Sequence, residues 1–222
     1  MPRDPDEPSI DQTIAALVAD LTPVTPVHLW RGMVVGLAAT GLSVMAVWLC
    51  LGLRSDILSG HPPMTVPLRG SVLLAGGLAM LLAALRAAVP GRADGGASLL
   101  GTLLLGLFPL GLMALLLDGI MAGAHPDFAE VDAFGAARCF AIALCASLLV
   151  AAVLAAWMRR TAPTNLARAA WLTGWAAAAL GTFAYSLFCP ASSMGFVTTV
   201  YPAAMLVVAL LLRAVLPKAL RW

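Results

Sequence analysis

The chain has 222 residues, of which 61% are hydrophobic and only 11% are charged, and its mean hydropathy is +0.95. A soluble domain is about 45–50% apolar and about 25% charged, so the composition excludes an ordinary soluble protein and indicates an integral membrane protein. The net charge of +2 is small, so the positions of the charges carry more information than their sum.

Residues 1–30 form the only extended polar segment, and their acidic, proline-rich start does not match a cleavable secretory signal. Ser9 and Gln12 fit a capping box at the start of a helix. An apolar stripe with i, i+3, i+4 and i+7 spacing then predicts a short amphipathic helix: Ile14, Leu17, Val18 and Leu21. Such a helix, about three turns long, would be marginal alone in water. Its stripe therefore needs a partner, either lipid or protein.

Long apolar runs dominate the remainder of the chain, and a membrane-spanning helix needs about 20 mostly apolar residues. Six runs meet this requirement: 32–53, 70–89, 97–117, 136–157, 169–188 and 196–216. We therefore predict an all-α, polytopic domain of six transmembrane helices over residues 31–222, preceded by a cytoplasmic segment over residues 1–30. Charged residues in the middle of these spans, which would indicate a transport path, are almost absent.

The distribution of Lys and Arg predicts the orientation of the chain in the membrane. Ten of the thirteen basic residues fall on the side of the N-terminus, and the other three are Arg54, Arg69 and Arg138. The positive-inside rule thus places both termini in the cytoplasm. The opposite side collects most of the acidic loop residues, which are Asp56, Asp118, Asp127, Glu130 and Asp132.

Two of the four cysteines lie at the outer ends of neighbouring spans in this topology. Cys139 opens the fourth span, and Cys189 closes the fifth within the uncharged stretch 185–201. Spans joined by a short loop are expected to pack antiparallel, which can bring their outer ends together. Cys145 lies about 9 Å deeper in the bilayer than Cys139, which makes it a poor disulfide partner for Cys189. Cys50, near the outer end of the first span, could compete for this pairing. Two interpretations stay open: a redox- or metal-sensing pair on the oxidising side, or ordinary small apolar side chains.

The sequence offers little that could support catalysis. It contains no nucleotide-binding loop, no HExxH-type metal helix and no arrangement of a nucleophile with a base. We therefore expect a protein that is not an enzyme and that needs no cofactor.

Several short motifs occur in a characteristic order along the chain. They are Leu17-Val-Ala-Asp-Leu-Thr-Pro-Val24, Val89-Pro-Gly-Arg92, Cys139, Phe188-Cys-Pro-Ala-Ser-Ser193 and Leu220-Arg-Trp222. Together they resemble the NrsF family of six-helix bacterial membrane proteins, and the resemblance covers nearly the whole chain. The chain departs from the more basic run expected in that family at Thr25, Pro26 and Val27.

The resemblance implies a negative regulator, in the bacterial inner membrane, of an extracytoplasmic-function (ECF) sigma factor. It implies that Cys139 and Cys189 form the periplasmic pair that responds to oxidants or captures soft metal ions. The N-terminal helix would hold the sigma factor through five residues, namely Ile14, Leu17, Val18, Asp20 and Leu21. The expected partners are thus a sigma factor and the lipid bilayer, without direct contact to nucleic acid. Two other interpretations remain, a small transporter or channel and a non-catalytic scaffold subunit.

Overall fold

A computed structural model describes residues 10–19, 28–52, 60, 65–89, 133–161, 163, 165–189 and 194–219. Over these residues every regular element is a helix. The helices are α1 (Ile10–Ala19), α2 (Leu29–Leu51), α3 (Thr65–Ala87), α4 (Ala133–Met158), α5 (Leu166–Ser186) and α6 (Met194–Ala219). The all-helical class predicted from the sequence therefore holds for the part of the chain that the structure describes.

Four of these helices are long and apolar enough to cross a membrane. They comprise Leu29–Leu51, Val66–Ala87, Gly135–Met158 and Val197–Ala219, in α2, α3, α4 and α6. The predicted third span, 97–117, lies outside the described residues. Helix α5 coincides with the predicted fifth span but is rich in Ala, Gly, Thr and Trp, and it is not one of the four. The six-span topology therefore stays a prediction.

Helix α5 lies at the centre of the bundle and packs against α2, α3, α4 and α6. Sixteen of its residues are buried, including Trp175, Leu180 and Tyr185. Small residues let its neighbours approach closely. A Cβ at Gly174 would lie 3.0 Å from the Cα of Ala209 in α6. The moderate hydropathy of α5 fits this position, because its surroundings are other helices rather than lipid.

Contacts between helices show that α3 and α4 both run antiparallel to α2. Gly32, in the first turn of α2, packs against Leu85 near the end of α3 and Trp157 near the end of α4. Further along α2, the buried hydroxyl of Ser43 donates a hydrogen bond to the carbonyl of Ala146 in α4 at 3.1 Å. The starts of α3 and α4 therefore lie at the end of the bundle opposite the start of α2.

Helix α6 begins further upstream than the apolar run that predicts it. The helix starts at Met194, before the run 196–216, and Pro202 lies in its interior. Proline withholds an N–H from the helical ladder, and packing against neighbouring helices makes such a position tolerable in a membrane protein. Pro202 is itself buried.

The α4–α5 contact leads to a first prediction, which concerns stability. A Cβ at Gly181 would overlap the backbone of Ser147 and lie 2.6 Å from its hydroxyl oxygen. Gly181→Ala is therefore expected to force the two helices apart and destabilise the protein by about 1–3 kcal/mol, the usual effect of overpacking. Thermal unfolding in detergent measures this as a lower Tm.

Gly41 in α2 provides the matched control, because a Cβ there meets no described atom within 4 Å. Gly41→Ala is expected to be neutral or to raise stability by up to about 1 kcal/mol through helix propensity. Equal Tm shifts for the two variants would show that the close approach of α4 and α5 is not a stability determinant.

Candidate functional site

The structure brings Cys139 and Cys189 together at one end of the bundle. Cys139 lies in the second turn of α4, and Cys189 follows the end of α5 by three residues. The backbone N–H of Cys189 donates to the carbonyl of Tyr185 at 3.1 Å, which folds the chain back over the last turn of α5. The two thiol side chains interact with each other. No disulfide joins these two cysteines in this structure.

Two tyrosines complete what we call the thiol cluster, which consists of Cys139, Cys189, Tyr185 and Tyr201. The hydroxyl of Tyr185 is within hydrogen-bonding reach of both thiols, and the side chain of Tyr201 from α6 reaches Cys189. The two rings meet edge to face, with centroids 6.0 Å apart and planes at 65°. The cluster therefore joins the ends of α4, α5 and α6.

Access to the two thiols differs. Cys189 is fully buried, with 0% of its surface exposed, whereas Cys139 is partly exposed. A reagent from outside would therefore meet Cys139 first. Cys189 is the more deeply buried of the two thiols, and its side chain interacts with that of Cys139.

Arg69 packs against the cluster from α3. Its guanidinium Nη2 donates to the carbonyl of Ser186 at 3.0 Å and to the carbonyl of Cys189 at 3.2 Å. The guanidinium carbon also lies 5.9 Å from the centroid of the Tyr201 ring, a cation–π distance. A fourth helix thus contributes to this end of the bundle.

The chemistry available to the cluster is that of two adjacent thiols. They can form a disulfide, or they can bind a soft metal ion, for which thiolates are the preferred ligands. Within the described ranges no group of three or more His, Cys, Asp or Glu side chains comes together. A closed tetrahedral zinc site needs four such ligands, so any metal held by the described residues alone would have two sulfur ligands.

The other two cysteines occupy a different place. Cys50 and Cys145 line an open, apolar groove of about 440 Å³ between α2 and α4, together with Val47 and Leu149. Both cysteines are exposed. The groove belongs to the outer surface of the helix pair, whereas the thiol cluster lies at the end of α5.

Helix α1 presents apolar side chains to the outside. Ile10, Ile14 and Val18 are 70%, 52% and 60% exposed, and Asp11 lies in the first turn. Among the other residues predicted to bind the sigma factor, the side chain of Leu17 and the whole of Asp20 and Leu21 lie outside the described part of the structure. Their proposed role stays a prediction.

Three residues of the site escaped the sequence-based prediction, namely Arg69, Tyr185 and Tyr201. A signal for the tyrosines was present, because the chain contains only two, and they bound the stretch 185–201 around Cys189. Arg69, at the edge of a predicted span, looked like one of the charges that mark a membrane interface. Its contact with the end of α5 depends on which helices are neighbours, and the sequence does not indicate that.

Comparison with known proteins gives one family match. Residues 17–222 match the family model of NrsF, described as negative regulator of sigma F. No curated protein and no solved structure matches the chain. The match begins within α1, so it includes Leu17 and Val18 and leaves out Ile14.

Proposed function

Because this match covers nearly the whole chain, the protein belongs to the NrsF family of negative regulators of sigma F, and on that premise we propose how the regulation works. The chain is a membrane-bound anti-sigma factor that holds an ECF sigma factor through α1. It releases the sigma factor when Cys139 and Cys189 become oxidised. The observation that carries this proposal is the contact between the two thiols at one end of the bundle.

Helix α1 holds the sigma factor in this proposal. An exposed stripe containing Ile14 and Val18 fits the helix-in-groove mode, in which an amphipathic helix lays its apolar face into a groove on its partner. Asp11 adds a negative charge that suits a DNA-binding partner with basic surfaces. Retention at the membrane keeps the sigma factor from promoters and requires neither catalysis nor contact with DNA by this chain.

The proposed orientation is supported by the distribution of charges and by the antiparallel packing of α4 against α2. The Lys and Arg distribution favours a cytoplasmic N-terminus in the inner membrane. The thiol cluster is at the end of the bundle opposite the start of α2. Helix α2 is about 35 Å long. With α1 on the cytoplasmic side, the cluster then faces the periplasm, where disulfides form and persist.

Oxidation of the pair requires a two-electron oxidant, such as a protein or glutathione disulfide. The more exposed Cys139 forms a mixed disulfide, and Cys189 attacks it, so that the new S–S bond replaces the bond to the carrier. The carrier leaves with the two electrons and both protons as thiols. A bond between the ends of α4 and α5 also breaks the thiol contacts of Tyr185, which changes the packing against α6.

Release of the sigma factor by oxidant is the second prediction and tests this function. The full-length protein is purified from its native membranes, and the sigma factor bound to it is identified by mass spectrometry. Treatment with oxidised glutathione is expected to release about tenfold more sigma factor into solution, a typical size for coupling between two sites. Mass mapping without reductant should show the Cys139–Cys189 disulfide over the same range of oxidant.

The reduced sample, processed in parallel, provides the control. Formation of the disulfide without any release would separate the thiol chemistry from regulation and contradict the proposal. If the recovered sigma factor belonged to a class other than ECF, the proposed identity of the partner would be wrong.

A further inference from the structure

We propose that Arg69 is the positioning residue of the thiol pair. It fixes the backbone of Cys189 so that its thiol faces Cys139, and it thereby ties α3 to the state of the pair. The effect on thiol pairing follows from the geometry of Arg69 alone. Its consequence for sigma-factor release rests on the proposed function.

The contacts of Arg69 converge on the C-terminal end of α5. The last carbonyls of a helix have no donor within the helix, and Nη2 of Arg69 donates to two carbonyls of this segment, those of Ser186 and Cys189. The N–H of Cys189 is already bonded to the carbonyl of Tyr185. Both polar backbone groups of Cys189 are therefore fixed, which limits the directions that its thiol can take.

The position of Arg69 in its own helix needs an explanation, because it is the fifth residue of α3. A cation near the N-terminus of a helix is disfavoured by the helix dipole, whereas a cation at the C-terminus is favoured. Arg86 follows this rule in the last turn of α3. Arg69 lies past the first turn of α3, where the dipole effect is weak, and its guanidinium lies at the C-terminal end of α5, where a positive charge is favourable.

The choice of arginine over lysine follows from the number and geometry of the contacts. A guanidinium is planar, carries five N–H donors and can stack on an aromatic face. Arg69 uses these properties to bond two carbonyls and to lie over the ring of Tyr201. A lysine ammonium is a compact point charge on a flexible stem, so it would hold this arrangement less rigidly.

A preorganised pair forms a disulfide more readily than a mobile one, because less conformational freedom is lost on closing the bond. In Arg69→Met the carbonyls of Ser186 and Cys189 lose a charged donor, and the segment after α5 can move away from Cys139. Disulfide formation should become less favourable. The effect is expected at the thiol pair, because the hydrogen bonds of Arg69 to Ser186 and Cys189 and its contact with Tyr201 all lie beside it.

The third prediction tests this in the full-length protein in lipid nanodiscs, without a sigma factor. Oxidised and reduced glutathione set the redox poise, with each oxidised glutathione taking two electrons and two protons from the pair to give two reduced molecules. Mass mapping measures the fraction of Cys139–Cys189 disulfide. Arg69→Met is expected to lower the equilibrium constant for disulfide formation by about tenfold, the size typical of a lost hydrogen bond to a charged group. Arg69→Lys is expected to give an intermediate value.

Arg86→Met is the matched control, because it removes the same side chain from the other end of α3. In this variant Cys139 and Cys189 should form a disulfide to the same extent as in the wild type. Wild-type pairing in both Arg69 variants would overturn the proposal. The proposal would also be overturned if all three variants, including Arg86→Met, lost disulfide formation together with a lower Tm. Because the assay contains no sigma factor, it can succeed even if the proposed function fails, and the two failures are distinguishable.

Discussion

Replacement of Cys189 by serine is expected to leave the sigma factor bound and to make its retention insensitive to oxidant. The substitution removes the sulfur that must attack a modified Cys139, so no bond can form between the ends of α4 and α5. Serine is close to cysteine in size, and its hydroxyl can still interact with Tyr185, which reaches Cys189 in the wild type. The reduced arrangement of the bundle should therefore persist. The measurement is the sigma factor released from membranes by oxidised glutathione, expected to fall from about tenfold to less than about twofold over background.

The chain offers its own controls for this result, since Cys50 and Cys145 lie in a separate groove. Cys50→Ser and Cys145→Ser should release the sigma factor as the wild type does. If the response were instead lost in either of these variants and kept in Cys189→Ser, the switch would belong to the groove between α2 and α4. A Cys139→Ser variant should behave like Cys189→Ser, because a disulfide needs both sulfurs.

The helices were largely predictable because their signals are local. Apolar runs of about 20 residues indicate the long helices, and the spacing of Ile14, Leu17 and Val18 indicates α1. The ends were less predictable, since α3 starts at Thr65 and α6 at Met194, before the apolar runs that begin at residues 70 and 196. Composition alone could not anticipate that α5 lies at the centre, because its position depends on the close approach of Gly174 and Gly181 to other helices.

The candidate site was predictable only where chain connectivity determines it. Two helices joined by a short loop are expected to pack antiparallel, so the start of α4 and the end of α5 can lie side by side. This is how the sequence indicated the neighbouring positions of Cys139 and Cys189. Arg69 and Tyr201 come from α3 and α6, whose places around α5 follow from the packing of many side chains. No local pattern carries that information, so these residues appeared only with the three-dimensional arrangement.

Placing a charge on the apolar stripe of α1 is expected to have the largest effect on sigma-factor binding. Leu17→Asp would put a carboxylate into the groove that the stripe fills, and a buried charge without a partner is strongly unfavourable. Loss of an anchor residue of this kind weakens binding by about 2–4 kcal/mol, or about 30- to 1000-fold. Val18→Asp, at a position 60% exposed in the structure, should act in the same direction. Binding is measured with the purified sigma factor and full-length protein in nanodiscs.

Ala19→Asp separates the loss of the stripe from the added charge. Ala19 is exposed and lies next to Val18 but away from the stripe, so its variant carries the same charge on the same short helix. Its affinity should stay close to the wild type. If the three variants weakened binding equally, the charge of α1 rather than its apolar stripe would govern retention. If Leu17→Asp and Val18→Asp both bound normally, the sigma factor would have to be held by another part of the chain. The pairing of Cys139 with Cys189 should be unchanged in all three, because α1 precedes α2 and the thiol cluster lies at the opposite end of that helix.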